Sequence, residues 1–157
     1  MPISILAVGK ISLPFSPASQ EFEKRISRYD KLQVIQVQDI KEPLTLSPAL
    51  MEQSLQKEGL GVLQKIKAGD YVIALCIQGE QQGSLQFARQ LGKLRDEGRH
   101  IVFVIGGSLG LSEEVIKRAD EKLSLSAFTL PHQLARVVLL EQIYRSYKIL
   151  SGERYHK

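Results

Sequence analysis

The sequence predicts an α/β fold: one three-layer α/β/α domain with a largely parallel sheet, spanning residues 1–157. Strand-like and helical segments alternate along the whole chain, as they do when helices cover both faces of a sheet. Two strand-like segments, Tyr71 to Ile77 (YVIALCI) and Ile101 to Ile105 (IVFVI), are unbroken apolar runs. Runs of that kind mark strands covered on both sides. The length of 157 residues suits a single domain with one substantial interior.

Each element has its own signal. Ser4 to Val8 is a short apolar run closed by Gly9, and Leu32 to Val37 shows β-branched alternation. Ser16-Pro17 opens a helix through Phe22 to Tyr29, and Pro48 to Ile66 is the longest central helical segment. Phe87, Leu91 and Leu94 recur at helical spacing, with Gly98 placed to stop the helix. Leu123 and Leu125 alternate with serines in a fifth, shorter strand, and Pro131 opens a terminal helix near Thr129 and Leu130. Asp39 to Ser47 (DIKEPLTLS) is a loop and the one place expected to move.

Composition narrows the function. With 43% hydrophobic and 24% charged residues, the chain is neither disordered nor fibrous. The single cysteine, Cys76, excludes an intrachain disulfide, a cysteine-only zinc site and an iron–sulfur cluster. No metal spacing joins His100, His132 and His156. The opening MPISILAVGKI has no basic leader, and no apolar run reaches membrane-spanning length. These features predict a soluble, cytoplasmic protein without a membrane partner. A net charge of +4 leaves room for an anionic partner.

In such sheets a ligand sits outside the carboxyl ends of the strands, so the loops after the last three strands are the candidates. The first of note is Gly106-Gly107-Ser108-Leu109-Gly110, between an apolar strand and a helix capped by Ser112. Its glycines permit positive φ and close approach of a ligand, or serve a tight turn. It is neither a P-loop nor a dinucleotide fingerprint. Glu113 and Glu114 occupy the start of the helix, which argues against a bound phosphate.

The second is Ser126-Ala127-Phe128-Thr129, which offers amides, hydroxyls and an aromatic face suited to adenine or to a core. Behind it, Leu134, Val137, Val138, Leu140, Ile143, Tyr144, Tyr147 and Ile149 cover more than one face of the terminal helix. The expectation is a homodimer interface rather than burial within the chain. His132 is either a structural histidine or an acid–base group. The third is the tail, Ser151-Gly152-Glu153-Arg154-Tyr155-His156-Lys157, with stacking and phosphate-pairing side chains. Cys76, within an apolar strand, reads as a buried hydrophobe.

The segments ILAVGK, IGGSLGL, LSLSAFTLPHQLARVVLLEQIYRSYKI and the closing SGERYHK together resemble the SPOUT class of methyltransferases. Within it, the likeness is to enzymes that methylate N3 of a pseudouridine in large-subunit (23S) ribosomal RNA. The resemblance runs over nearly the whole chain. It implies a C-terminal trefoil knot, which pattern alone would not suggest. It also implies S-adenosylmethionine as methyl donor, bent among three loops, and no metal. Leu75 and Gly79 belong to the first loop, Gly106 to the second, and Leu125, Ser126, Ala127, Phe128, Thr129 and Leu130 to the third. Thr129 is expected to support that third loop. Cys76 stands where an acidic residue is expected.

For catalysis the resemblance implies the tail: His156 for the N3 proton, Arg154 and Lys157 for phosphate or anion, and Tyr155 for packing on the base. The tail would reach a neighbouring subunit's pocket, with His132 and Arg136 as alternatives. The implied partner is 23S rRNA in the assembled ribosome, not DNA. Two rival readings stand beside it: a non-catalytic knotted dimer that binds ribosome or nucleotide, and an α/β enzyme with Cys76 as nucleophile.

Overall fold

The computed structural model describes residues 3–40 and 47–157. The central part of the loop expected at Asp39 to Ser47 lies outside them. Five strands form one sheet: β1 (Ile3–Val8), β2 (Leu32–Val37), β3 (Tyr71–Gln81), β4 (Ile101–Ile105) and β5 (Glu121–Ser124). Their order is β2-β1-β4-β3-β5, and every pairing is parallel. The helices are α1 (Ser16–Ile26), α2 (Pro48–Leu63), α3 (Ser84–Asp96), α4 (Glu113–Arg118) and α5 (His132–Leu150).

The alternation of strand side chains builds two cores. Ile3, Ile5, Ile73, Ile101 and Phe103 pack with Ile26 of α1, Phe87 and Leu91 of α3, and Leu139 and Ile143 of α5. Leu6, Val8, Val72, Val102 and Val104 point the other way, onto Val62 of α2 and Val115 of α4. Three layers result, as the sequence predicts. The crossovers that run toward β2, through α1 and α3, lie on one face. Those that run toward β5, through α2 and α4, lie on the other, as a single hand of crossover requires.

Helix ends follow local chemistry. After α3, Gly98 (φ +70) sends its N–H to Arg95 O at 2.9 Å, and Arg99 sends its own to Leu94 O at 3.0 Å. Gly152 (φ +70) repeats the arrangement after α5, with bonds to Ile149 O and from Glu153 to Lys148 O. Both are Schellman closures, which need the left-handed conformation that glycine adopts without a Cβ clash. Pro131 is the N-cap of α5 itself, one position before its expected place in the first turn.

The terminal helix differs from expectation in its surroundings. No residue from His132 to Leu150 is fully exposed. Phe22 and Tyr29 from the α1 side pack on Tyr144 and Tyr147, while Gly92 of α3 lets the Leu150 side chain lie against its backbone. Leu140, Ile143, Tyr144 and Tyr147 are taken up within the chain by α1, α3 and the sheet, whereas Leu134, Val137, Val138 and Ile149 stay partly exposed.

Candidate active site

At the carboxyl edge of β3, β4 and β5 lies a cavity of about 790 Å³. Its lining comes from residues 75–78, 105–111, 123–126 and 128–132, with Ile116 and Ala135. This volume falls in the range of small-molecule sites. Three chain segments converge there, and each does so for a local reason.

The first segment interrupts a strand. β3 pairs with β5 from Ile73↔Glu121 to Leu75↔Leu123, then resumes at Glu80↔Leu123 and Gln81↔Ser124. Cys76, Ile77, Gln78 and Gly79 are thus pushed out of the ladder, and the first three line the cavity. Bulges of this kind re-aim a strand at functional sites. Gly79 lies outside the lining. A Cβ there would stand 2.7 Å from the backbone nitrogen of Leu123, so the missing side chain lets β5 close against β3.

The second segment is the glycine loop. Gly110 (φ +83) donates its N–H to Gly107 O at 3.0 Å, which folds the loop back on itself. Gly106 lies beneath this turn, where any Cβ would collide with the Gly110 carbonyl. The glycines thus serve both purposes that the sequence left open, a tight turn and a cavity wall.

The third segment begins where β5 ends at Ser124, so Leu125 belongs to the loop and not to the strand. Ser124 Oγ donates to Ser126 O at 3.0 Å, and Ser126 Oγ accepts the Phe128 N–H at 2.9 Å. These two serines shape the loop, the task expected of Thr129, whose exposed side chain lines the cavity instead. Leu125, Ser126, Phe128, Thr129 and Leu130 all line it, and Ala127 does not.

Chemically the cavity is apolar and rich in backbone. Among the described residues, its lining includes no Lys, Arg, Asp or Glu side chain, and Cys76 and His132 contribute one thiol and one imidazole. It can hold an uncharged ring and a flexible chain, but it holds no fixed charge to stabilise an anion.

The tail lies elsewhere. Tyr155 stands edge-on to Tyr144, with centroids 5.0 Å apart, and donates its hydroxyl to Glu141 Oε1 at 3.2 Å. Arg145 grips the same carboxylate at 2.6 Å, lies over the Tyr155 ring and meets His156 Nδ1 at 3.2 Å. Burial and the nearby Glu141 charge raise the Tyr155 phenol above its ordinary pKa. Arg154 and Lys157 are exposed. Along α5, Arg145 is about 15 Å beyond Ala135, taking roughly 1.5 Å per residue. The structure therefore gathers in one cavity most of the residues that the resemblance assigns to the donor, and holds the four tail residues away from it.

A third cluster carries no signal in the sequence. Ser4 Oγ lies 2.9 Å from His100 Nε2, and His100 Nδ1 lies 2.8 Å from Asp70 Oδ1. These residues sit at or just before the amino ends of β1, β4 and β3, opposite the cavity. Positions so far apart in the chain have no recognisable spacing, and only the parallel sheet aligns them.

Four exposed apolar side chains belong to the cavity lining or to segments bonded to α5. Ile77 (55% exposed) and Phe128 (83%) rim the cavity. Leu13 (77%) follows Ser12, which bonds to Gln133, and Leu85 (49%) follows Ser84, which bonds to Gln142.

Comparison with known proteins agrees with this architecture. The family model described as predicted SPOUT methyltransferase matches residues 1–156. The chain belongs to the SPOUT methyltransferase family. Proteins named ribosomal RNA large subunit methyltransferase H are similar over their whole length and the whole of this chain. Those of Limosilactobacillus reuteri and Bacillus cytotoxicus are 48% and 51% identical. Among solved structures, a probable methylase family protein from Haemophilus influenzae aligns with a TM-score of 0.56 at 14% identity. That alignment covers 99% of this chain and 70% of the other. A tRNA (m1G37) methyltransferase from Aquifex aeolicus gives 0.55 at 17%, over 92% and 70%. These distant likenesses show a shared fold.

Proposed function

We propose that the chain transfers a methyl group from S-adenosylmethionine to N3 of a pseudouridine in 23S rRNA of the assembled ribosome, in the bacterial cytoplasm. The likeness to ribosomal RNA large subunit methyltransferase H over the full chain supports the reaction class. The observation that carries the mechanism is the uncharged cavity, bounded by the strand bulge, the glycine loop and the serine-shaped loop.

The cavity fits the donor. S-adenosylmethionine carries no phosphate, and backbone groups of residues 125–130 with the apolar side chains of Leu75 and Leu130 would hold its adenine. Gly106 and the bulge at Cys76 would bound the rest. The donor supplies an activated methyl group on a sulfonium. The protein must align N3 for in-line attack, which contributes roughly 7–11 kcal/mol in favourable cases. It must also take the N3 proton, a task worth about 10²–10⁴-fold.

That task needs a base and, for the ring anion left behind, positive charge that the cavity lining lacks. We assign it to the tail of a second copy: His156 takes the proton, Arg154 and Lys157 hold phosphate or the ring anion, and Tyr155 packs on the base. The exposed apolar side chains of Leu13, Ile77, Leu85 and Phe128 supply contact between copies. In this reading, Glu141 and Arg145 fix the tail before RNA arrives, and a knotted C-terminal half holds the three loops together.

The test is methyl transfer to ribosomes and to protein-free 23S rRNA. Transfer to ribosomes, with little to naked RNA and a steep fall with salt, is expected. Equal transfer to both would overturn ribosome recognition, and transfer to neither would favour a non-catalytic binding protein.

A further inference from the structure

Lys10 lies outside the cavity, yet two side chains of α5 fasten the loop that carries it. The chain leaves β1 at Gly9 (φ +88), one strand away from the glycine loop. β1 and β4 pair as far as Ala7↔Ile105, and a Cβ on Gly107 would lie 3.2 Å from Val8 Cγ1. The Gly9 N–H donates to Val37 O at 2.8 Å, and its carbonyl accepts from Arg136 at 3.2 Å. Arg136 is only 2% exposed, an expensive place for a guanidinium unless its position matters. At the other end of the loop, Gln133 Oε1 accepts both the Ser12 N–H at 2.9 Å and the Ser12 hydroxyl at 3.3 Å.

His132 and Ala135, in the same turns of α5, line the cavity. Residues 9–12 are thus tied at both ends to one of its walls. Between the ties, Lys10 is exposed, and its ammonium has no ion pair or hydrogen bond among the described residues. Lys10 is thus an exposed cation on a loop fastened to the helix that lines the uncharged cavity.

We propose that Lys10 contacts a backbone phosphate of the RNA beside the target nucleotide, with Gln133 and Arg136 as the residues that position it. The inference rests on the rRNA methyltransferase reading above. The donor carboxylate is the other anion within chemical reason. The phosphate is favoured because Lys10 is exposed and forms no part of the cavity lining, whereas a compact ammonium suits a backbone phosphate.

The test measures methyl transfer to ribosomes that lack the modification, at several salt concentrations. It compares wild type with Lys10→Ala, Lys10→Arg, Gln133→Leu and, as a distant exposed control, Lys65→Ala. Lys10→Ala is expected to raise KM for ribosomes severalfold and leave KM for the donor unchanged. It should also reduce the slope of log KM against log salt by about one. Lys10→Arg keeps most of the affinity, Lys65→Ala changes nothing, and Gln133→Leu raises the ribosome KM without altering kcat or donor KM. Unchanged ribosome KM and salt slope in Lys10→Ala would overturn the proposal, as would a rise confined to donor KM. Failure of the wild-type chain to methylate ribosomes would instead overturn the function on which it rests.

Discussion

A Cβ placed on Gly106 would stand 2.6 Å from the carbonyl carbon of Gly110. The two glycines are the base and tip of one turn, so the smallest substitution at the base must displace the tip. Gly106→Ala is expected to destabilise the fold by about 1–3 kcal/mol, as overpacking typically does. It should weaken donor binding at least tenfold. Thermal melts with donor titrations measure both, and wild-type stability and affinity in this variant would show that the turn is not the cavity floor.

Ser4, His100 and Asp70 have the order of a hydrolase triad, but not its setting. Ser4 is 4% exposed and Asp70 6%, and none of the three lines the cavity beside β3, β4 and β5. With a neutral ring, Nδ1–H donates to Asp70 and Nε2 accepts the Ser4 hydroxyl, so the trio satisfies buried polar groups where three strands begin. His100→Ala should cost about 1–3 kcal/mol of stability through the unsatisfied partners it leaves. Methyl transfer per folded molecule should not change. Labelling of Ser4 by a fluorophosphonate would contradict this structural role.

Three of the five tyrosines resist ionisation. Burial leads in each case, with Glu121 reinforcing it at Tyr71, Asp30 at Tyr147 and Glu141 at Tyr155. A phenol whose pKa is higher folded than unfolded contributes stability that is complete below the unfolded value. That contribution declines as pH rises above about 10 toward the folded value. Phenolate absorbance should therefore lag behind that of the unfolded chain, with Tyr147 the most displaced, and stability should fall through the same alkaline range. Coincident folded and unfolded titrations would contradict the burial of these hydroxyls.

The distance between cavity and tail within one chain makes a sharp genetic test. Ala135→Phe fills the cavity, and His156→Ala removes the proposed base. Each variant alone should lose about 10²-fold or more in kcat. Mixed dimers contain one site with an intact cavity and an intact tail, so co-expression at equal levels should restore about a quarter of wild-type sites. No recovery in mixtures shown to exchange subunits would mean that each tail serves its own chain.

Much of this architecture was legible in the sequence because it rests on short-range chemistry. The runs at Tyr71 to Ile77 and Ile101 to Ile105 became central strands, and Gly98 stopped α3 through a left-handed closure. Leu75, Gly106 and Leu130 came to the cavity through the resemblance. What remained hidden depended on pairing between distant segments. The four residues displaced from β3 form a loop only because Leu75 and Glu80 both pair with Leu123. Gly79, which the resemblance puts in the turn of the first loop, packs against the backbone of a strand more than forty residues later. The burial of α5 could not be separated from a dimer interface by periodicity, since both demand apolar residues on several faces.

The central claim is that the uncharged cavity holds the methyl donor, and calorimetric titration of S-adenosylmethionine into the purified protein tests it most directly. Saturable binding that Ala135→Phe abolishes, with its fold and melting temperature retained, is the expected result. Absence of binding to the folded wild type, or undiminished binding to Ala135→Phe, would contradict the assignment.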